Sequence, residues 1–455
     1  MIREVPYHDD SSLLFGKILD LPWSVFLDSG FPGNAQGRCD ILTAKPCRTL
    51  ITRGRKTKVS GREGCIECVD DPFSLLRKEI PMGTFDARQL PFCGGAIGYF
   101  AYDLARRIEE IPNIARDSEQ IPDMMVGIYD WAIVVDHRSK RSWLVQQNRS
   151  VETSSICEMV LDRLNQEFEK QPGCETIRIQ EPVVSNMSRE EYGQAFRRIK
   201  RYLLAGDCYQ VNLAQRFSAR CAGDPWAVYR TLREYNSAPF SAFLNFPEVR
   251  VLSSSPERFL KVENARVETK PIKGTRARVA DPSKDLEQIK ALRNSPKDRA
   301  ENLMIVDLLR NDLGKCCEAG SVKVPKLFDV ESFATVHHLV STIEGRLASA
   351  RDSIDLLRGC FPGGSITGAP KIRAMEIIEE LEPDRRGVYC GSIGYISYGG
   401  DMDTNIAIRT LVHSGNEIRF WAGGGIVADS READEYQECF DKARALLRVL
   451  DRFSR

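Results

Sequence analysis

The chain has no excess of charge of either sign: 64 Lys and Arg stand against 64 Asp and Glu. Holding a polyanion takes a basic surplus, so non-specific nucleic-acid binding is not expected. No apolar run reaches the roughly 18 residues that a membrane span needs. Met1-Ile2-Arg3-Glu4-Val5 leads into polar residues, not into the apolar core of a signal peptide. The expectation is a cytoplasmic protein that does not enter a membrane. Its 14 cysteines are then reduced thiols, used mainly as small core residues. Cys65-Ile66-Glu67-Cys68 has CxxC spacing, but no second CxxC or paired histidine follows to complete a zinc site. Histidine is scarce, with five residues: His8, His137, His337, His338 and His413. The P-loop order and the dinucleotide-binding fingerprint are both absent.

What is there is an ordinary globular mix, 42% hydrophobic and 28% charged over 455 residues. That suffices for one large domain or two to three ordinary ones. Residues 1–150 alternate short apolar strands with turns, at Trp23–Leu27, Gly94–Phe100 and Trp131–Val135. Residues 138–185 are more polar, and composition alone places a linker there. At Ser188 the pattern sharpens. Ser188 and Glu191 have capping-box spacing, Tyr192, Phe196, Ile199 and Leu203 recur at helical period, and Gly206 ends the run. Strand and helix patterns are interspersed from there to the end. The class is α/β or α+β, with the chemistry in the second half.

Five features there carry chemistry. Asp298 and Glu301 lie three apart at the head of a helical run, and Glu432 and Glu435 repeat the arrangement. Such pairs share a helix face. They fit either the first-turn preference of acids or convergence on one hard cation such as Mg²⁺. The run Phe361 to Lys371 is rich in glycine and precedes a helix, with Pro370 suited to the first helical position. A second glycine cluster, Gly423-Gly424-Gly425, follows a strand and could offer backbone N–H groups to an anion, and Arg409 ends another strand. Lys273, in Pro271-Ile272-Lys273-Gly274-Thr275, sits at a turn downstream of Glu257. It can be a surface charge, an ion-pair partner or a nucleophile. His337 and His338 precede a strand-like run and point to opposite faces, so at most one faces a given site.

These pieces, in this order, resemble the chorismate-utilising enzymes, which include anthranilate, aminodeoxychorismate, isochorismate and salicylate synthases. The motifs are Ser255-Pro256-Glu257, Pro271 to Thr275, Asp298 to Asp312, His338 to Ser341, Gly363 to Lys371, Ile408-Arg409-Thr410 and Gly423 to Lys442. They span residues 190–450. Residues 1–150 resemble the amino-group-transferring members through Leu21-Pro22-Trp23 and Tyr129-Asp130-Trp131. The resemblance implies an α+β fold with two large facing antiparallel sheets and helices outside. The whole of 1–455 would form one packed unit, with 1–185 as its N-terminal region and 186–455 as its chorismate-binding region. That overrides a linker near 138–185.

The resemblance further implies residue roles. Glu301 and Glu435 would hold Mg²⁺ directly, and Asp298 and Glu432 through water. Gly274, Thr275, Ser365, Tyr389, Arg409, Gly423, Gly424, Gly425 and Lys442 would bind substrate, and His338 would lie near the departing hydroxyl. Lysine at 273 resembles the branch that places the amino group para to the ring carboxylate; the anthranilate branch has alanine there. Lys273 would be a covalent nucleophile at C2 and Glu257 the general acid/base. Ammonia would come from a separate glutaminase subunit, because the glutaminase Gly-x-Cys-x-Gly elbow is absent; Cys93-Gly94-Gly95 does not match it. Ser29, Arg38, Asp40, Pro239 and Phe240 match the neighbourhood of a tryptophan pocket. The alternatives are anthranilate synthesis or a catalytically inactive tryptophan-binding regulator.

Overall fold

Short apolar runs separated by turns become strands. In the computed structural model these form two large sheets whose named strands all pair antiparallel. Residues 1–34, 37–80, 90–166, 177–333 and 336–454 are described. Among them one sheet has 13 strands and the other 12. Strands from the two ends of the chain complete each other's sheets. Ser24–Asp28 pairs with Phe240–Asn245, which puts Phe26 opposite Phe243. Gly95–Phe100 pairs with Ser392–Ser397 in the second sheet.

The strand Trp131–Asp136 shows why its sequence is apolar throughout. Ala132 and Val134 join the core shared by the two sheets, while Trp131, Ile133 and Val135 join a second core beneath outer helices. A strand buried on both faces has no solvent side and so no polar alternation. The second core packs Phe15, Trp226, Tyr229 and Leu446 against the outside of the first sheet. Each large apolar side chain buried this way contributes about 1.5–3 kcal/mol. The architecture is α+β, with two facing antiparallel sheets and helices outside.

The 138–185 stretch is not a plain connection. Arg141–Gln146 pairs with Trp131–Asp136, and the helix Thr153–Asn165 buries Ile156, Cys157, Val160 and Leu164. Gln171-Pro172-Gly173 lies outside the described residues. Pro370 is the N-cap of the helix Lys371–Leu381, one position earlier than its spacing suggested. Cys65 and Cys68 lie on the strand Gly64–Cys68, three apart and so on opposite faces.

The helix Arg189–Ala205 has the boundaries its sequence announced. Ser188 Oγ accepts from the Glu191 N–H, and Glu191 Oε2 accepts from the Ser188 N–H at 2.8 Å. Gly206, at φ 80°, closes the helix in the left-handed region. Tyr192, Phe196 and Ile199 are buried. Ser188→Ala removes one half of the reciprocal cap. It should lower the unfolding free energy by about 1 kcal/mol in a urea titration. No change would show that the cap does not limit stability.

Candidate active site

The strand Ile272–Ala277 is an end strand of the second sheet and pairs with Val336–Arg346. Its register slips between Ile272 and Thr275, and Gly274 sits there at φ 81°. A bulge of this kind re-aims a side chain out of the ladder. Gly274 is needed for space as well, because a Cβ there would lie 2.8 Å from Asp298 Cγ. Beside it, Lys273 Nζ donates to the Ser365 carbonyl at 2.8 Å. Burial holds its ammonium below the ordinary lysine value, although the carboxylates of Glu301 and Glu257 pull the other way.

Glu257 occupies the turn between Arg250–Ser255 and Arg258–Glu263 and is 5% exposed. Burial raises its carboxyl, and the Ser365 hydroxyl and Lys273 oppose this. One residue of the glycine-rich loop, Ser365, therefore meets both groups: its carbonyl takes the lysine and its hydroxyl reaches the glutamate. A part-buried amine held below its usual range beside a carboxyl held above its own suits a nucleophile paired with a proton donor.

His338 lies opposite Thr275 and is hydrogen-bonded to its hydroxyl through Nδ1 at 2.9 Å. Burial, with help from Arg409 and His337, depresses it to about 3, so it is neutral. His337 turns elsewhere, to Ser332 and to Asp285 at 2.9 Å.

Acidic residues face this centre from two helices. Glu301 lies on Pro296–Gly314 and Glu435 on Glu432–Asp451. The Lys297 ammonium stands between them, 3.9 Å from Glu301 and 3.7 Å from Glu435. Glu435 Oε1 accepts from Ser430 at 2.6 Å, while its buried Oε2 has no hydrogen-bond partner among the described residues. Burial raises both carboxyls, and Glu435 and Asp298 push Glu301 up further. Glu438, one turn beyond Glu435, is part of the same group. Burial would raise it, but Lys442 at 2.7 Å, Lys297 and Lys273 together hold it low.

Sequence spacing had paired Glu435 with Glu432 instead. Glu432 is held by Arg197 of the neighbouring helix at 2.8 Å, whereas Glu438 pairs with Lys442. The signal for Glu438 was present in the i, i+3 spacing from Glu435 and the i, i+4 spacing to Lys442, but four acids crowd that helix start. Asp298 pairs with Arg276 at 3.2 Å. No three such side chains among the described residues converge at ligand spacing. The oxygen-only donors, the one unpartnered buried oxygen and the single ammonium between two carboxylates nevertheless suit one hard cation.

The glycines of the second cluster are not a free loop. Gly423, Gly424 and Gly425 end the strand Glu417–Ile426 opposite Ala214, Leu213 and Asn212. The neighbour on their other edge, Thr410–Ser414, pairs only as far as Phe420. Gly424 borders the acids, since a Cβ there would meet Glu435 Oε2 at 3.0 Å. Lys442 Nζ donates to the Gly423 carbonyl at 2.8 Å. Tyr389 is buried and stacks on Trp421. Arg409 has a left-handed φ of 50°, and burial lowers its guanidinium. Its only side-chain hydrogen bond among the described residues is to Asn236 at 3.4 Å.

A separate large cavity opens between the sheets. Ser29, Arg38, Pro239 and Phe240 line it. Asp40 lies behind its wall, bonded to the Ser29 N–H and to His137 Nε2, both at 2.7 Å. The Ser29 hydroxyl is buried with no hydrogen-bond partner among the described residues.

Residues 29–448 match the model of the chorismate binding enzyme family. The chain is 49% identical to aminodeoxychorismate synthase component 1 of Escherichia coli strain K12, over 98% of this chain and 97% of that protein. The same identity holds to the component 1 enzyme of Klebsiella aerogenes, over 98% of each. The crystal structure of anthranilate synthase component I from Streptococcus pneumoniae superposes with a TM-score of 0.81 at 33% identity, covering 90% of this chain and 92% of that one. The chain belongs to the chorismate-binding enzymes.

A part-buried guanidinium with no carboxylate partner among the described residues carries a desolvation cost in the free protein and attracts an anion. Arg409→Met should therefore leave the unfolding free energy no lower than that of the wild type. It should also abolish the thermal stabilisation that a simple carboxylate such as benzoate adds. Lower stability, or undiminished benzoate stabilisation, would count against an unpaired charge at this position.

Proposed function

We propose that this member of the chorismate-binding enzymes replaces the 4-hydroxyl of chorismate with ammonia, giving 4-amino-4-deoxychorismate on the way to para-aminobenzoate and folate. Lys273 carries the reading: a part-buried amine held below its ordinary range by desolvation, joined to Glu257 through Ser365. The 49% relatives named aminodeoxychorismate synthase component 1 support it.

The neutral Lys273 amine adds at C2. The two ring double bonds shift, and the C4–O bond breaks with a proton from Glu257, releasing water. The lysine nitrogen gives up its extra proton to the site. Ammonia then adds at C4, the double bonds shift back, and the C2–N bond to Lys273 breaks as the lysine regains a proton. The net change is chorismate plus ammonia to aminodeoxychorismate plus water. Without the lysine, ammonia attacking at C2 leads to the ortho product. Neutral His338, bonded to Thr275, orients the leaving hydroxyl without adding a positive charge. Arg409, Tyr389, the 423–425 backbone and Lys442 hold the carboxylates.

We further propose Mg²⁺, held by Glu301 and Glu435 with Glu438 in support. When bound it would neutralise the ring carboxylate. Glu438 takes the supporting role that the family resemblance gave to Glu432, and Asp298, paired with Arg276, remains a candidate for contact through water. Ammonia is supplied by a separate glutaminase subunit, consistent with relatives named as component 1. Tryptophan is the proposed occupant of the cavity at Ser29, Arg38, Pro239 and Phe240, with Asp40 supporting its wall. No helix among the described residues is long and apolar enough to cross a membrane, and the proposed location is the cytoplasm.

Lys273→Ala should lower 4-aminodeoxychorismate formation from chorismate and ammonium by at least about 10²-fold, read by chromatography with mass detection. Rapid-quench mass spectrometry of the wild type should find the Lys273 peptide carrying chorismate less one water. The amine must be neutral to attack, so activity should rise with pH through a midpoint below the ordinary lysine value of 10.5. Full activity in the alanine variant would sink the covalent step, and an ortho product from the wild type would sink the reaction.

The metal assignment separates two neighbouring acids. Glu438→Gln should raise the Mg²⁺ concentration for half-maximal activity, and weaken Mn²⁺ binding followed by electron paramagnetic resonance, by about 10–100-fold. Glu432→Gln should leave both within about twofold. The reverse pattern would restore the role to Glu432.

A further inference from the structure

The centre of this site is one turn, Gly364–Ile366, whose Ser365 engages both Lys273 and Glu257. A short glycine-rich turn has little rigidity of its own, so something else must fix it. Lys371, the basic residue of the loop, does not reach it. Its ammonium goes to Asp312 at 2.6 Å and to the Cys360 carbonyl at 2.7 Å, upstream of the turn.

The brace is Arg386, which is 1% exposed and has no place in the chemistry described above. Its guanidinium makes a fork onto Glu382, through Nε to Oε2 at 2.8 Å and through a terminal nitrogen to Oε1 at 2.6 Å. One terminal nitrogen donates to the Ile366 carbonyl at 3.0 Å, and the other to the Asn212 carbonyl at 3.0 Å. Glu382 is itself tied down, with Oε1 accepting from the Ala214 N–H at 2.9 Å. Asn212 and Ala214 lie opposite Gly425 and Gly423. The same guanidinium lies over the rings of Tyr102 and Tyr389, at 4.9 and 5.8 Å. One planar fork therefore links the Ser365 turn, the strand behind the substrate-facing glycines and Tyr389. A lysine could not make four directed bonds in one plane.

We infer that the buried Arg386–Glu382 pair is the positioning element of this active site: it sets the Gly364–Ile366 turn so that Ser365 holds the Lys273 amine and the Glu257 carboxyl in mutual register. Arg386 has no hydrogen bond to Lys273, Glu257, Glu301 or Arg409, so it reaches the reacting groups through the Ser365 turn. The kinetic part rests on the reaction proposed above, while the structural part does not depend on it.

The test uses the full chain. Arg386→Lys keeps a cation beside Glu382 but loses the fork. Glu382→Gln keeps the shape and an acceptor for Ala214, and it serves if the lysine variant does not fold. In variants with wild-type circular dichroism, kcat for ammonia-dependent turnover should fall about 10²-fold, as expected for sub-ångström misplacement of reacting groups. KM for chorismate should change much less than kcat, because Arg409 and Lys442 are untouched and Arg386 meets Tyr389 only through its ring face and the 423–425 strand only through Asn212. Hydrogen–deuterium exchange should speed up in peptides covering 363–368 and remain unchanged in the outer helix Thr153–Asn165. An unaltered kcat in a folded variant, a KM rise matching the kcat loss, or unchanged exchange at 363–368 would overturn the inference. If the wild-type chain forms no 4-amino product, the reaction reading fails, and the exchange result still decides whether Arg386 sets the turn.

Discussion

Everything in this protein depends on strand edges being closed by segments far apart in the chain. Ser24–Asp28 needs Phe240–Asn245 beside it, and Gly95–Phe100 needs Ser392–Ser397. An unpaired edge leaves buried N–H and C=O groups without partners, so neither half of the chain could keep its sheet alone. The chemistry lies where that pairing runs out. Lys273 sits at a bulge on an end strand, and Gly423 to Gly425 keep a partner on one edge only. A regular ladder would point the lysine along the sheet normal and leave no open backbone for a ligand.

Charge in the site follows the same economy of space. Three ammonium groups, Lys297, Lys273 and Lys442, are interspersed among the carboxylates of Glu301, Glu257, Glu435 and Glu438. Neighbours of opposite sign partly offset the desolvation of the buried and part-buried members, which lets so many ionisable groups share one cleft. Desolvation still prevails at Lys273 and Glu257, in opposite directions, leaving an amine easier to deprotonate and an acid easier to keep protonated. Arg386 and Glu382 compensate each other fully and lie outside this alternation, which suits a structural brace better than a reactive group.

Much of this was legible in the residues. The capping box at Ser188 and Glu191 set a helix start because its signal is local, requiring only the next turn of chain. The apolar runs at 24–28 and 131–136 announced strands for the same reason. The polar stretch after 138 misled because Thr153–Asn165 buries only one side and Arg141–Gln146 buries the polar Ser142 and Gln146 beside Leu144 and Val145, so their composition resembles a connection. The acids at 432, 435 and 438 share one helix, and spacing could not tell which of them turn inward. That depended on Arg197 of the neighbouring helix taking Glu432 away.

The sequence by itself determined the order of the motifs, the lysine before Gly274 and the local boundaries of the helices, because these are carried by adjacent residues. Only the tertiary structure decided that Ser365 stands between Lys273 and Glu257, that Glu438 belongs to the acidic group, and that Arg386 reaches Ile366 and Asn212 at once. Those relations join residues tens to hundreds of positions apart. They exist because two sheets closed around one core bring those positions within hydrogen-bonding reach, and spacing along the chain carries no trace of that.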